Sequence, residues 1–421
     1  MQRRVVVTGL GVVSANGIGV DAFWHNIVNG NSGIRPYQWG AALGFESRVY
    51  GQAKDFNEKD FDLGARECAA GGRYVQFALA AGQMAMSDAG LMDHALDPQR
   101  LGVVVASAIA DAASMESQLL QMTHDGTEDI DPAWASGADQ QVFDFGLAAS
   151  RLAQRYGAGG AVLNVSTGCT AGLDALGLAL DAIRQGELDV VLAGASEAPL
   201  CPLSIGSFEA LGALSTRQVP TPQQASTPFS GQRDGFVIAE GAGLLVLEAY
   251  EHAVARGARI YAELTGYASV NNAYHMTDLA PDGEALARCI RLAMADAGIE
   301  PEQVSYVSAH GSSTPQNDVN ETNALKKALH EQAYRVPINS LKSMTGHSLA
   351  AANAIEAVSL ALEIHHQHVH PTINYQVPDP ACDLDYVPLQ GRPVAIEHAL
   401  KLSSGFSGIH SVIVMKRTDH E

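Results

Sequence analysis

Three stretches of the 421-residue chain set reactive side chains beside glycine. The first, Ser166-Thr167-Gly168-Cys169-Thr170-Ala171-Gly172, places a thiol among small residues at the start of an apolar helical run. A helix N-terminus presents unpaired N–H groups and partial positive charge, which stabilise a thiolate and lower a cysteine's pKa. The N–H of Cys169 itself could donate to an oxyanion. In the second, Tyr306-Val307-Ser308-Ala309-His310-Gly311-Ser312-Ser313-Thr314, His310 ends an apolar strand, where α/β sheets bind ligands. The third, Lys342-Ser343-Met344-Thr345-Gly346-His347, supplies an ammonium and, five residues on, an imidazole. A neutral imidazole can hold an enolate or oxyanion through its N–H, and a charged lysine can fix the local field. Two chemistries use this set. A Cys–His hydrolase needs a general base and an ordered water. A carbon–carbon bond former needs a shielded cysteine and donors for a carbanion. The apolar, glycine-rich surroundings favour the second, while spacing alone leaves both open.

The remaining candidates read as structural. His365, His366, His368 and His370 stand near a helix end before Pro371, as a solvated terminus rather than a metal site. Cys68, Cys201, Cys289 and Cys382 are scattered and, with Cys169, odd in number, which argues against a disulfide framework and a zinc site. A reducing, cytoplasmic setting fits them. Lys and Arg number 26 against 46 Asp and Glu, a net charge of −20, the wrong sign for nucleic acid or an anionic membrane surface. Hydrophobic residues are 47% and charged residues 17%, enough for a large core and too apolar for a disordered chain. No apolar run is long enough to span a bilayer, and the N-terminus lacks the pattern of a signal peptide.

The elements that must position these residues alternate. Val5–Val7, Leu101–Val105, Val162–Val165, Val190–Ala193, Gly243–Leu247, Val304–Val307 and Val412–Met415 read as buried strands. Phe77–Gly90, Gly172–Gln185, Glu284–Ala297, Glu321–Leu329 and Ser348–His366 read as helices. The pattern predicts an α/β protein with helices on both faces of a mixed or parallel sheet. A strand, a glycine turn and an apolar helix occur around Cys169 and again around Lys342–His347, which suggests a duplicated unit. The Pro-rich stretch from 218 to 232 reads as a loop, and the acidic stretch from 123 to 139 as a surface excursion.

With these segments in hand the sequence resembles the β-ketoacyl-acyl carrier protein synthases of the thiolase fold, closest to type II polyketide ketosynthase subunits and to fatty acid β-ketoacyl synthase II. The likeness runs through Val6-Val7-Thr8-Gly9-Leu10-Gly11, Ser166–Thr170, Arg233-Asp234-Gly235-Phe236-Val237, Ala273-Tyr274-His275-Met276-Thr277, Ala309–Thr314, Lys342–His347 and Gly405-Phe406-Ser407-Gly408. It implies a duplicated αβαβα five-layer fold, with a half at 1–255 carrying the nucleophile and a half at 256–421 carrying the donors. It implies that Cys169 takes the acyl chain as a thioester, that His310 and His347 hold the malonyl thioester oxygen, and that Lys342 orders the site, paired with Glu321. Cys169 and Phe406 would form the oxyanion hole, Phe406 would gate the thiol, and Ser312 and Thr314 would bind phosphopantetheine.

The resemblance further implies decarboxylative Claisen condensation in polyketide synthesis, with homodimeric fatty acid synthesis as the alternative. No metal or nucleotide is implied, since substrates ride on the 4'-phosphopantetheine of an acyl carrier protein. The partners are that carrier and a chain-length-factor homologue, with no nucleic acid and no membrane. Departures concern docking and gating. Ala69, Ala70 and Gly212 stand where basic residues dock the acidic carrier, leaving Arg66, Arg73 and Arg217 nearby. Ser407 and Ile409-His410 replace small residues in the gate loop, which puts its mobility in question. Ile109 and Met115 fall near the expected pocket.

Overall fold

The computed structural model describes residues 2–37, 42–61, 63–64, 71–131 and 144–418. Cys68, Arg66, Ala69, Ala70 and positions 132–139 of the acidic stretch lie outside the described residues. Ten strands carry the architecture. The first five are β1 (Val5–Ser14), β2 (Leu101–Ala106), β3 (Val162–Val165), β4 (Val190–Glu197) and β5 (Gly241–Ala249). The second five are β6 (Ala262–Asn271), β7 (Val304–Ser308), β8 (Ile338–Asn339), β9 (His398–Ser404) and β10 (Ile409–Lys416). In space they run β3-β2-β4-β5-β1 and β8-β7-β9-β10-β6. Each set has the order third, second, fourth, fifth, first, with two parallel pairings followed by two antiparallel ones. One topology therefore occurs twice. The sets join where Val5–Val7 pairs with Ala262–Leu264, which makes the hydrogen-bonded network continuous.

Helices complete five layers. On one outer face α1 (Gly72–Asp88) and α2 (Leu147–Tyr156) pack against the first set of strands. In the middle α3 (Ala171–Arg184) and α6 (Ala350–His366) pack against each other. On the other outer face lie α4 (Glu284–Ala297) and α5 (Pro315–Leu329). Every residue of α6 from Ala350 to Ile364 is buried. A helix apolar nearly all round is stable only in such a central place. The close approach of α3 and α6 depends on Gly172: a Cβ there would lie 2.2 Å from Asn353 Oδ1 and 2.8 Å from Ala350 O.

Four sequence expectations change. β3 is not buried: it pairs with β2 alone, and Val162 and Leu163 are 38% and 44% exposed. Helix α5 begins six residues early, because Pro315 starts it and Thr314 Oγ1 accepts the Asn317 N–H as a cap. Strands β6 and β9 were not singled out, since serine, threonine, lysine and glutamate interrupt their apolar pattern. His370 is not solvated: it is fully buried, and its N–H donates to Glu363, which also accepts from Tyr306 and Asn339. The described cysteines are free thiols, and no helix of the described residues is long and apolar enough to cross a membrane.

Candidate active site

Cys169 sits in a three-residue 3-10 turn, Gly168–Thr170, between β3 and α3. Both halves of the fold hold this turn. The hydroxyls of Thr167 and Thr170 donate to Asp174 on α3, which also accepts from Tyr267 on β6 (2.8 Å) and Ser411 on β10 (2.5 Å). The carbonyl of Cys169 accepts from Asn353 Nδ2 on α6 and from Ser403 Oγ on β9 (2.9 Å). None of Asp174, Asn353 and Ser403 stood out in the sequence, where a lone polar residue inside an apolar element gives little signal.

His310 follows β7, and His347 follows the buried turn Lys342–Thr345. Their rings lie 5.2 Å apart, edge to face, and line one pocket with Cys169, Ser312, Thr314 and Phe406. The pocket thus gathers side chains that the sequence singled out, from turns far apart in the chain. The Leu349 N–H donates to His347 Nδ1 (3.1 Å), so the neutral ring carries its proton on Nε2. Leu349 reaches that position at φ 47, a left-handed conformation costly for a branched residue and held here by the packing around it. Burial and then the Lys342 ammonium hold both imidazoles well below the usual histidine range, and at neutral pH they are uncharged. Thr314 and Ser312 share a hydrogen bond of 2.8 Å, so one pocket-lining hydroxyl also caps α5.

The expected pairing of Lys342 with Glu321 is not formed. Lys342 Nζ donates to Glu356 Oε1 on α6 (2.5 Å) and to His310 O (2.8 Å). Glu321 turns instead to the backbone after β7, accepting the N–H groups of His310 (2.6 Å) and Gly311 (2.8 Å). That turn leaves two N–H groups without strand partners, and a carboxylate nearly two turns into α5 satisfies both. Burial raises Glu321 to about 7. A second buried lysine, Lys401 on β9, stands 2.8 Å from the other oxygen of Glu356. Glu356 and Lys401 were both missed from the sequence.

The expected lowering of the Cys169 thiol is also reversed. Its side chain is only partly exposed, and towards a largely apolar pocket whose walls include Phe208, Phe236 and Phe406. Burial pushes the thiol up to about 12; Lys342 acts against this, and Glu197 adds to it. Glu197, at the end of β4, accepts Ser107 Oγ and the N–H groups of Ala108 and Ile109. Burial raises this carboxyl as well, to about 7.

Phe406 is partly exposed over the pocket, 6.3 Å from the Phe208 ring. A methyl built on Gly405 would lie 3.5 Å from Cys169 N, so the backbone leading to Phe406 meets that of the cysteine. Ser407 adopts φ 64, and both its N–H (2.8 Å) and its hydroxyl (3.2 Å) donate to Met276 O. Ser407 thus ties the 405–408 turn to the 272–277 loop. His410 is buried against Ser404 Oγ (2.9 Å). Of the expected docking cations, Arg73 grips Glu240 and Ala53 O, and Arg217 donates to Gln224 O and Gln232. Arg73 is thus committed to an internal ion pair. Ile109 packs in one cluster with Cys169, whereas Met115 packs in the outer core of the first half.

A twice-repeated sheet, two central helices and a cysteine facing two uncharged imidazoles define a condensing enzyme of the thiolase fold. Sequence comparison narrows this. The beta-ketoacyl synthase N-terminal domain matches residues 2–253, and the C-terminal domain matches 261–376. The chain belongs to the beta-ketoacyl synthase family and is an acyltransferase. It is 45% identical over 423 aligned residues, covering 100% of this chain and 99% of the relative, to the granaticin polyketide putative beta-ketoacyl synthase 1 of Streptomyces violaceoruber. It is similar to the solved structure AntDE:AntF, a type II polyketide synthase acyl-carrier protein in complex with its ketosynthase bound to the hexaketide. That likeness has a TM-score of 0.94 and 61% identity, with 100% of each chain covered. The ishigamide ketosynthase/chain length factor gives a TM-score of 0.91 at 33% identity, covering 99% of this chain and 100% of that one.

Proposed function

We propose that this chain is the ketosynthase subunit of a type II polyketide synthase. An acyl chain moves from the phosphopantetheine thiol of a carrier protein to Cys169, with loss of the pantetheine thiol. A malonyl unit on a second carrier then loses carbon dioxide. The electron pair of the broken carbon–carbon bond passes into an enolate, whose oxygen accepts N–H donors from His310 and His347. The enolate carbon attacks the Cys169 thioester, the thiolate departs, and a β-ketoacyl chain remains on the carrier. Ser312 and Thr314 line the pocket where the pantetheine arm would lie, and the backbone near Cys169 and Phe406 would hold the tetrahedral oxyanion. The observation that carries this reading is the fixed proton on His347 Nε2 in a pocket shared with Cys169 and an uncharged His310. A hydrolase would want an imidazole basic enough to take a proton; these are neither charged nor readily charged.

We assign the nucleophile to the half at 1–255 and the donors to the half at 256–421, the substrates to carrier-bound thioesters without metal or nucleotide, and the setting to the cytoplasm. The open, apolar edge of β3 supports pairing with a homologous chain-length factor. Its alternative, a homodimeric synthase II, is separated by mass and activity of the purified chain: solubility and activity alone favour the homodimer. Replacing Cys169 with Ala should abolish transfer of radiolabelled acyl groups, and a labelled Cys169→Ala protein would end the assignment. His347→Ala should still accept the acyl group while condensation falls by roughly a hundredfold or more, the scale of a lost oxyanion donor.

A further inference from the structure

Lys401 lies midway along β9 with no exposed surface, and the reaction as set out above does not use it. Its ammonium donates to Ala309 O (2.9 Å) and Leu402 O (2.7 Å) and stands 2.8 Å from Glu356 Oε2. Lys342 takes Glu356 Oε1 and the carbonyl of His310. The two lysines therefore share one carboxylate, and each holds one of the two consecutive carbonyls at the end of β7, where His310 stands. Burying an ammonium is costly, and an apolar side chain would fill the site without that cost. One carboxylate cannot neutralise two cations. The other titratable groups nearby do not complete the balance. Glu321 on α5, which acts on Lys401, is raised to about 7 and only partly charged at neutral pH, while His410 on β10, which acts on His310, is lowered to about 4 and uncharged. His310 and His347 are uncharged too, and an excess of positive charge remains beside them.

We propose that Lys401 is a positioning residue of the condensation step, fixing the strand end that carries His310 and supplying, with Lys342, the positive field into which the enolate's negative charge develops. The geometry permits this at both ends: the ammonium anchors backbone one residue from His310, and its charge lies in a dry region where field effects are strong. Lys401 also contributes to keeping both imidazoles uncharged, as does Lys342. Burial lowers Lys401 to about 8, so its charge is present at neutral pH and is lost above that value. The inference deepens the condensing reading and rests on it.

The test measures two steps separately across pH: acyl loading of Cys169, and decarboxylation of malonyl-carrier protein by the loaded enzyme. In the wild-type protein, decarboxylation should decline above about pH 8, beyond any decline in loading. In Lys401→Met, loading should persist while decarboxylation falls about tenfold or more. Removing a nearby positive charge lets the imidazoles take protons at higher pH, so the acid limb should move upward by about half a pH unit or more. Lys401→Arg keeps the charge at all working pH values, so it should restore the acid limb and abolish the alkaline decline. An acid limb in Lys401→Met that coincides with wild type would overturn the proposal, as would parallel loss of both steps in a folded variant. If Lys401→Met does not fold, the wild-type protein decides: no alkaline decline up to about pH 9.5 sinks the idea. A wild-type protein that loads acyl groups but never decarboxylates malonyl-carrier would instead refute the condensing function itself.

Discussion

Among the reactive residues, types and neighbours were legible while partners were not. Cys169, His310 and His347 stood out because each adjoins a glycine near the end of an apolar run, and Lys342 because it lies five residues before His347; the structure brings the first three to one pocket with Lys342 behind. The partner of Lys342 was invisible. Glu321 and Glu356 are both acids on helices near it in sequence, and only the packing of α6 beneath the site selects the second. The two candidates now make predictions of different size. Glu356→Gln leaves two buried ammonium groups without a counter-charge, so stability should drop by roughly 3–5 kcal/mol, read as a large fall in Tm. Glu321→Gln keeps an oxygen for the His310 and Gly311 N–H groups and should cost much less, about 1–2 kcal/mol. Equal losses would mean that Glu356 does not carry the ion pair. The thiol was misread for a related reason: a helix start lowers a cysteine in water, but here three phenylalanines wall the pocket and burial dominates.

At the scale of elements, fully apolar strands and long helices declared themselves, and the mixed ones hid. Strand β9 reads His-Ala-Leu-Lys-Leu-Ser-Ser, and nothing local says that Lys401 faces protein on all sides. The edge strand β3 failed in the opposite sense, since an apolar tetrapeptide looks buried whether or not a neighbour covers it. The contact between α3 and α6 is the structural joint of the site, because Asn353 reaches from one helix to the carbonyl of Cys169 just ahead of the other. Gly172→Ala tests this joint. The new methyl meets Asn353 Oδ1 and Ala350 O, both on a helix that cannot move freely, so overpacking should cost about 1–3 kcal/mol. Acyl loading should slow along with the fall in Tm; unchanged loading would show that Asn353 does not position the nucleophile.

For the whole molecule, duplication was suggested by two similar corners in the sequence and is visible in full only in the matching strand orders. Sequence similarity between halves was not needed: order and direction of pairing identify them. The net charge of −20 excluded nucleic acid and left the problem of an acidic carrier. With Arg73 held by Glu240, electrostatic steering falls to fewer cations on this chain. The open edge of β3 is the natural place for a second chain to extend the sheet. Leu163→Lys should leave the fold of a single chain intact, because the side chain is already close to half exposed at the sheet edge, yet dissociate the assembly. Sedimentation showing an unchanged oligomer would exclude this edge from the interface.

The repeated topology also explains why the pocket is asymmetric. The corner after β3 and the corner after β8 occupy equivalent places in their halves, each leading into a central helix, and both open onto one pocket. Two identical corners would have placed two nucleophiles or two donors in the same chamber. Instead one copy carries sulfur and the other carries nitrogen. The repeated topology thus carries a division of labour, and neither copy can substitute for damage to the other.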